Sequence, residues 1–208
     1  MVHQSDPTFQ TLHAIKLRGR ATSESVGHSL GDPALDVEAM LQAAADAGHL
    51  KYREGRAAGW SLTPEGRDAH AALIAVDRER CGAVDTIREA YQQFLAVNHD
   101  LIAVCTNWQV KSDGEMNDHA DAGYDAAVIG ALGSIDDRVQ PVCTQLAATM
   151  ARFATYGPRL GRALALVRSG ETKWFTSPMC DSYHTVWFEL HEDLLQTLAI
   201  ERAAEEPH

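Results

Sequence analysis

Two histidines, several acids and a run of aromatics crowd into one stretch near the end of the chain. It reads Asp181-Ser182-Tyr183-His184-Thr185-Val186-Trp187-Phe188-Glu189-Leu190-His191-Glu192-Asp193-Leu194. On a helix, Asp181, His184, Phe188 and His191 share one face. Tyr183, Trp187, Leu190 and Leu194 form the neighbouring one. Three chemistries fit: a metal centre completed by another helix, polar residues buried between helices, or imidazoles lining a ligand pocket. His184 and His191 are two turns apart, roughly 10.5 Å along a straight axis. That is too far for both to reach one ion, so no metal site is expected. Aromatic walls with a few polar groups suit an organic ligand. The pocket candidates are Trp108, His119, Trp174, Tyr183, His184, Trp187 and His191.

Two further stretches could carry chemistry. Asn117-Asp118-His119-Ala120-Asp121, followed by Tyr124-Asp125, is rich in side-chain oxygen. It fits acid–base or metal chemistry, and equally a turn that caps a helix. Arg152, Phe153, Tyr156, Arg159, Arg162, Arg168, Lys173, Trp174 and Phe175 form a basic, aromatic run opposed locally only by Glu171. Bidentate arginines there could hold an anionic ligand, or pair with Asp136, Asp137, Glu189 and Glu192. No G-x-S-x-G, P-loop, H-E-x-x-H or dinucleotide fingerprint is present. His191-Glu192 meets Leu195 where a zinc motif needs histidine. No catalytic residue and no cofactor is therefore assigned, and a His/Asp-dependent enzyme would need His119 to converge with His184 and His191. Cys81, Cys105, Cys143 and Cys180 lie far apart, which predicts reduced thiols rather than a zinc site or disulfides.

These groups must be positioned by helices. From Pro64 to Trp108 apolar residues return to one face, with a bend at Cys81-Gly82. A polar loop covers 111–123. Tyr124 to Val139 predicts one helix, Pro141 to Tyr156 a second, Pro158 to Val167 a short third and Ser182 to Ala204 the last. The expectation is a bundle of about five helices with no strand.

The first third reads differently. Phe9 to Leu17 predicts a helix. Thr22 caps a second that runs to Leu30. Asp32 and Pro33 open a third that runs to Ala47 and is stopped by Gly48. His49 to Arg53 and Trp60 to Leu62 predict a β-hairpin, and Thr63 caps the next helix. This order, with Gly48-His49-Leu50, Arg53, Gly55-Arg56, Gly59-Trp60 and Leu62-Thr63-Pro64-Glu65-Gly66-Arg67, closely resembles the wing region of MarR-like transcriptional regulators. The resemblance covers the first third only. It implies a winged helix-turn-helix that binds double-stranded DNA, usually as a homodimer. The fold class expected is therefore mainly α with a small β-hairpin wing: a winged helix-turn-helix over 1–75, then an α-helical bundle over 76–208 for dimer contacts and ligand binding.

The DNA-contact candidates are Gln42, Lys51, Arg53, Arg56, Arg18 and Arg20. The third helix departs from the family pattern, because its outward positions are Asp36, Glu38, Ala39, Gln42, Ala43 and Asp46, and only Gln42 suits base reading. A winged helix turned into a protein-interaction module stays open beside DNA binding. Charge sharpens the point. Net charge is −11, of which residues 1–75 carry −2 and the remainder −9. Phosphate would repel the acidic part. No apolar run reaches the roughly 18–20 residues of a membrane span, and Met1 to Asp6 lacks the pattern of a signal peptide, so a cytoplasmic protein is expected.

Overall fold

The computed structural model describes residues 1–111 and 114–202. The chain is mainly helical with one two-stranded antiparallel hairpin. The first helix, α1, spans Pro7–Arg18 and is capped by Asp6, whose carboxylate accepts from the Thr8 and Phe9 amides. Helix α2 covers Ser23–Leu30 with Thr22 as its cap. Helix α3 covers Val37–Asp46 and starts later than its sequence suggests. Asp32 closes a turn by accepting from the Ala34 amide, and Asp36 is the true cap, accepting from Ala39.

Strand β1 (Leu50–Arg53) pairs with β2 (Gly59–Leu62), Leu50 opposite Leu62 and Tyr52 opposite Trp60. Thr63 then caps α4, Pro64–Cys81. Gly66 has a steric reason to be glycine: a Cβ there would lie 1.9 Å from the His49 carbonyl oxygen. The start of α4 thus packs directly on the backbone entering the hairpin.

Helix α5 runs Val84–Gln109 and α6 runs Ala122–Thr149. The expected break at Pro141 does not occur; one helix passes through it. Proline removes one hydrogen bond, to the Asp137 carbonyl. The buried stripe of Val139, Val142, Cys143 and Leu146 holds both sides in register. A 3₁₀ segment, Ala151–Thr155, leads into α7 (Tyr156–Arg168), and Pro158 sits in its first turn, where proline is tolerated. The short α8 (Lys173–Thr176), which the sequence did not announce, precedes α9, Tyr183–Leu198. Helix α9 ends at Leu198, short of the expected Ala204, with Ala199 in the left-handed region; residues 203–208, including the acidic tail, lie outside the described residues.

Two apolar cores result. The smaller gathers Leu12, Ile15, Val26, Leu41, Leu50, Trp60 and Leu62 from α1–α3 and the hairpin. The larger is built from α5, α6, α7 and α9 around Phe94, Leu132, Val139, Leu160, Leu190 and Leu194. The expected boundary at residue 75 falls inside α4. Residues ahead of α1 cross over: the His3 amide donates to Thr149, and the Ala151 amide donates to His3. Among the described residues no helix is long and apolar enough to cross a membrane.

Candidate functional site

The hairpin presents a run of exposed cations. Lys51, Arg53 and Arg56 are exposed, and among the described residues none of them is ion-paired. Arg20 joins them across the turn, its guanidinium donating to the Ala57 carbonyl at 2.9 Å. The exposed face of α3 carries Glu38, Gln42 and Asp46, and the Gln42 amide donates to Asp46 at 2.8 Å. Gln42 is thus held by its own helix. Arg18 is not part of this surface. Its side chain is only 12% exposed and pairs with Asp181 and Glu189, each at 2.9 Å. It leaves the set of candidate DNA contacts.

Six of the seven pocket candidates divide among three places, and Tyr183 belongs to none of them. His184, Trp187 and His191 line a groove of about 790 Å³ between α5 and α9, with Leu95, Ile102 and Phe188. The Trp187 ring stacks on Phe94 at 4.8 Å, and its indole N–H donates to Asn98 Oδ1 at 2.9 Å. Tyr183 faces away from the groove, fully buried, its hydroxyl donating to Asp136 at 3.1 Å. Burial, then the Asp136 carboxylate, drive that phenol well above its ordinary pKa.

Trp108 is buried in a second place, coplanar with Phe175 at 4.5 Å and in contact with the His119 ring at 4.4 Å. His119 is held in the left-handed region at φ 59°. Its Nδ1 lies 3.0 Å from Asp125, and the Asn117 amide donates to the same carboxylate at 2.8 Å. Asp121 caps α6, so part of this oxygen-rich loop closes a turn. Trp174 belongs to a third place, a cleft between α2 and the α7–α8 region, under the Arg162 guanidinium at 5.6 Å. His119 does not line the groove that His184 and His191 share, so these three histidines do not converge on one site. Among the described residues no three His, Cys, Asp or Glu side chains are placed to hold a metal ion.

The basic run resolves mainly into internal pairs. Arg159 binds Glu189 at 2.7 Å and Asp181 at 3.4 Å. Asp181 thus precedes α9 and serves Arg18 and Arg159, not the histidine face. Burial raises the Asp181 carboxyl, but Arg159 and Arg18 outweigh it and leave the group below its ordinary value.

A second buried cluster lies beside the first; its Asp193, Arg152 and Tyr156 belong to stretches the sequence singles out, whereas its His13, His70, Asp77, His3 and Ser5 do not. Asp193 is 1% exposed. It accepts from Arg152 at 2.9 Å and from the Tyr156 hydroxyl at 3.0 Å. His13 Nε2 lies 3.0 Å from it. The His13 ring lies edge to edge with His70, 4° from parallel, with Nδ1 2.9 Å from His70 Nε2. Desolvation raises the Asp193 carboxyl, yet Arg152 and then His13 overcome this and set it at about 2. Burial, then the neighbouring His13, lower His70 to about 3. Asp77 extends the cluster, bonding His3 at 2.7 Å and Ser5 at 3.1 Å. The sequence held one signal for this cluster: polar residues on otherwise apolar helix faces, namely Thr11 and His13 beside Leu12 and Ile15, and Asp193 beside Leu194.

No protein-family model, no curated protein and no solved structure matches this chain.

Proposed function

We propose that the chain is a DNA-binding transcriptional regulator of MarR-like, winged helix-turn-helix type, acting as a homodimer and responding to a small organic or anionic ligand in its helical bundle. One observation supports the DNA step above all. Lys51, Arg53, Arg56 and Arg20 stand exposed around one hairpin without ion pairs among the described residues, in a chain of net charge −11. Cations left unneutralised on a protruding ribbon fit phosphate contact. Helix α3 offers little to base edges, so affinity rests on the hairpin and specificity is modest. The α5–α9 groove, of about 790 Å³, has the size of a small-molecule site. His184, Trp187 and His191 supply its polar and aromatic contacts.

The test is binding to labelled duplexes, including the region upstream of its own coding sequence, across a salt series. Lys51→Ala, Arg53→Ala and Arg56→Ala should each weaken binding to all sequences alike and lower the salt slope by about 1. No salt-dependent affinity for any duplex would end this reading. The outward Glu38 and Asp46 of α3 favour a second one, a winged-helix module that binds a protein partner. Stable co-purification with one protein, lost on Glu38→Lys, would support it.

A further inference from the structure

Between α4 and the C-terminal half of α9 lies another groove, of about 700 Å³. Lys16, Arg67 and Arg78 line it, with His70. Among the described residues Lys16 and Arg78 make no ion pair and no hydrogen bond, and Arg67 donates only to the Leu62 carbonyl. The acids of the same groove are Glu192 and Glu201, and Glu192 is already paired with Arg202 at 3.0 Å. Cations are thus in excess at this place, although the chain as a whole is strongly acidic. His70 is 3% exposed and gives its Nε2 to His13. Its Nδ1 makes no hydrogen bond among the described residues.

We propose that this groove binds a small oxyanion, of the sulfate, phosphate or carboxylate class, between Lys16, Arg78 and the His70 ring, and that the His70–His13–Asp193 chain reports its arrival to the seam between the two cores. The site stands apart from the DNA-binding reading, since neither Lys16 nor Arg78 belongs to the hairpin.

The hydrogen-bonded, coplanar imidazoles give the chain two states. In one, His70 Nε2–H donates to His13 Nδ1, and His70 Nδ1 presents a lone pair to the groove. That lone pair repels an anion. In the other, His13 carries both N–H groups: Nδ1–H donates to His70 Nε2, Nε2–H faces the Asp193 carboxylate, and His70 Nδ1–H is free to donate. That state binds an anion. It holds one proton more, taken from solvent, and the charge rests on His13 against Asp193. The groups that bear on it are Lys16 from α1, Asp77 and Arg78 from α4, Arg152 from the 3₁₀ segment, Tyr156 from α7 and Asp193 and Glu192 from α9. Lys16, Arg78 and Arg152 oppose the added charge; the three carboxylates favour it, and the neutral Tyr156 hydroxyl is committed to Asp193. A ligand that prefers one of two states shifts their populations, so the oxyanion pulls His13 toward its charged form and strengthens its attraction to Asp193.

Sulfate is the probe, because it does not titrate in the working pH range. It is added at constant ionic strength while side-chain ¹⁵N–¹H spectra of His13 and His70 are followed. The expected result is a saturable change that leaves His70 protonated at Nδ1 and His13 at both nitrogens. Lys16→Gln with Arg78→Gln should weaken sulfate binding about tenfold, and this pair keeps the test readable if His70→Asn does not fold. Absence of a saturable response overturns the proposal, as does a response unchanged in the double variant. If the double variant weakens duplex binding and leaves the sulfate response intact, the groove serves DNA phosphates and the proposal falls.

Discussion

Arg53 and Arg18 stand at opposite extremes of how a charged side chain is held. Arg53 projects from the hairpin into solvent with no partner among the described residues. Arg18, on the helix that supports the hairpin, is largely shielded between Asp181 and Glu189, residues more than 160 positions further along the chain. The hairpin keeps its cations fully hydrated and available. The seam between the two cores takes its ions out of water, where each needs an opposite charge and a hydrogen bond to be tolerated. The difference teaches what holds the two parts together. It is a set of desolvated pairs centred on Asp193, Glu189 and Asp181, bordered by aromatic rings, and not a continuous apolar core.

The comparison breaks first, and most severely, under acid. Above pH 6.5 His70 is neutral in the folded and the unfolded chain. Below 6.5 the unfolded chain takes up a proton that the folded one refuses until about 3. Stability should therefore fall across that window by about 1.4 kcal/mol per pH unit. Urea unfolding at several pH values tests this; His70→Gln should flatten the profile between 6.5 and 3, and an unchanged profile would refute it. Asp193→Ala should come next. It takes from Arg152 the nearer of its two carboxylates, leaving Asp77 at 3.8 Å, removes the acceptor that faces His13 Nε2, and should cost about 3–5 kcal/mol, read from the urea midpoint at neutral pH.

Gly66→Ala should follow, at about 1–3 kcal/mol, since the new methyl must displace the His49 carbonyl. The hairpin would bear that strain, so hydrogen exchange should rise there before it rises in the bundle. The smallest stability effect separates the two arginines most cleanly. Arg53→Ala should change stability by no more than about 0.5 kcal/mol while lowering the salt slope of duplex binding. Arg18→Ala should do the reverse: a clear loss of stability with the slope intact. If both behave alike, the contrast between hairpin and seam is wrong.

The parts legible in sequence were those encoded locally. Thr22 and Thr63 cap helices because a short hydroxyl side chain reaches back within one turn. The hairpin follows from two short strand-like segments around a glycine-containing turn. Tertiary packing misled the reading at Pro141, where buried neighbours on both sides carried the helix through a residue that usually ends one. The site was less legible. His184, Trp187 and His191 do share a groove, since helical spacing determines a face. Trp108, His119, Trp174 and Tyr183 do not join them, because spacing says nothing about which neighbouring helix covers that face. Arg18 looked like the other basic residues of its region. Its partner Asp181 is 163 positions away, and only the fold brings them together.

That separation has a consequence for synthesis. His13 and Arg18 leave the ribosome long before Glu189 and Asp193 exist. At about 5–20 residues per second, the interval is on the order of ten seconds or more. Throughout it the hairpin and its helices can assemble around Leu12, Leu41 and Trp60, but the flank that will be sealed stays hydrated and open. The nascent chain thus carries an early part with a charged, unfinished side, and α9 closes it. Truncation anywhere before Asp193 would leave that side permanently unmatched, a ready substrate for quality control.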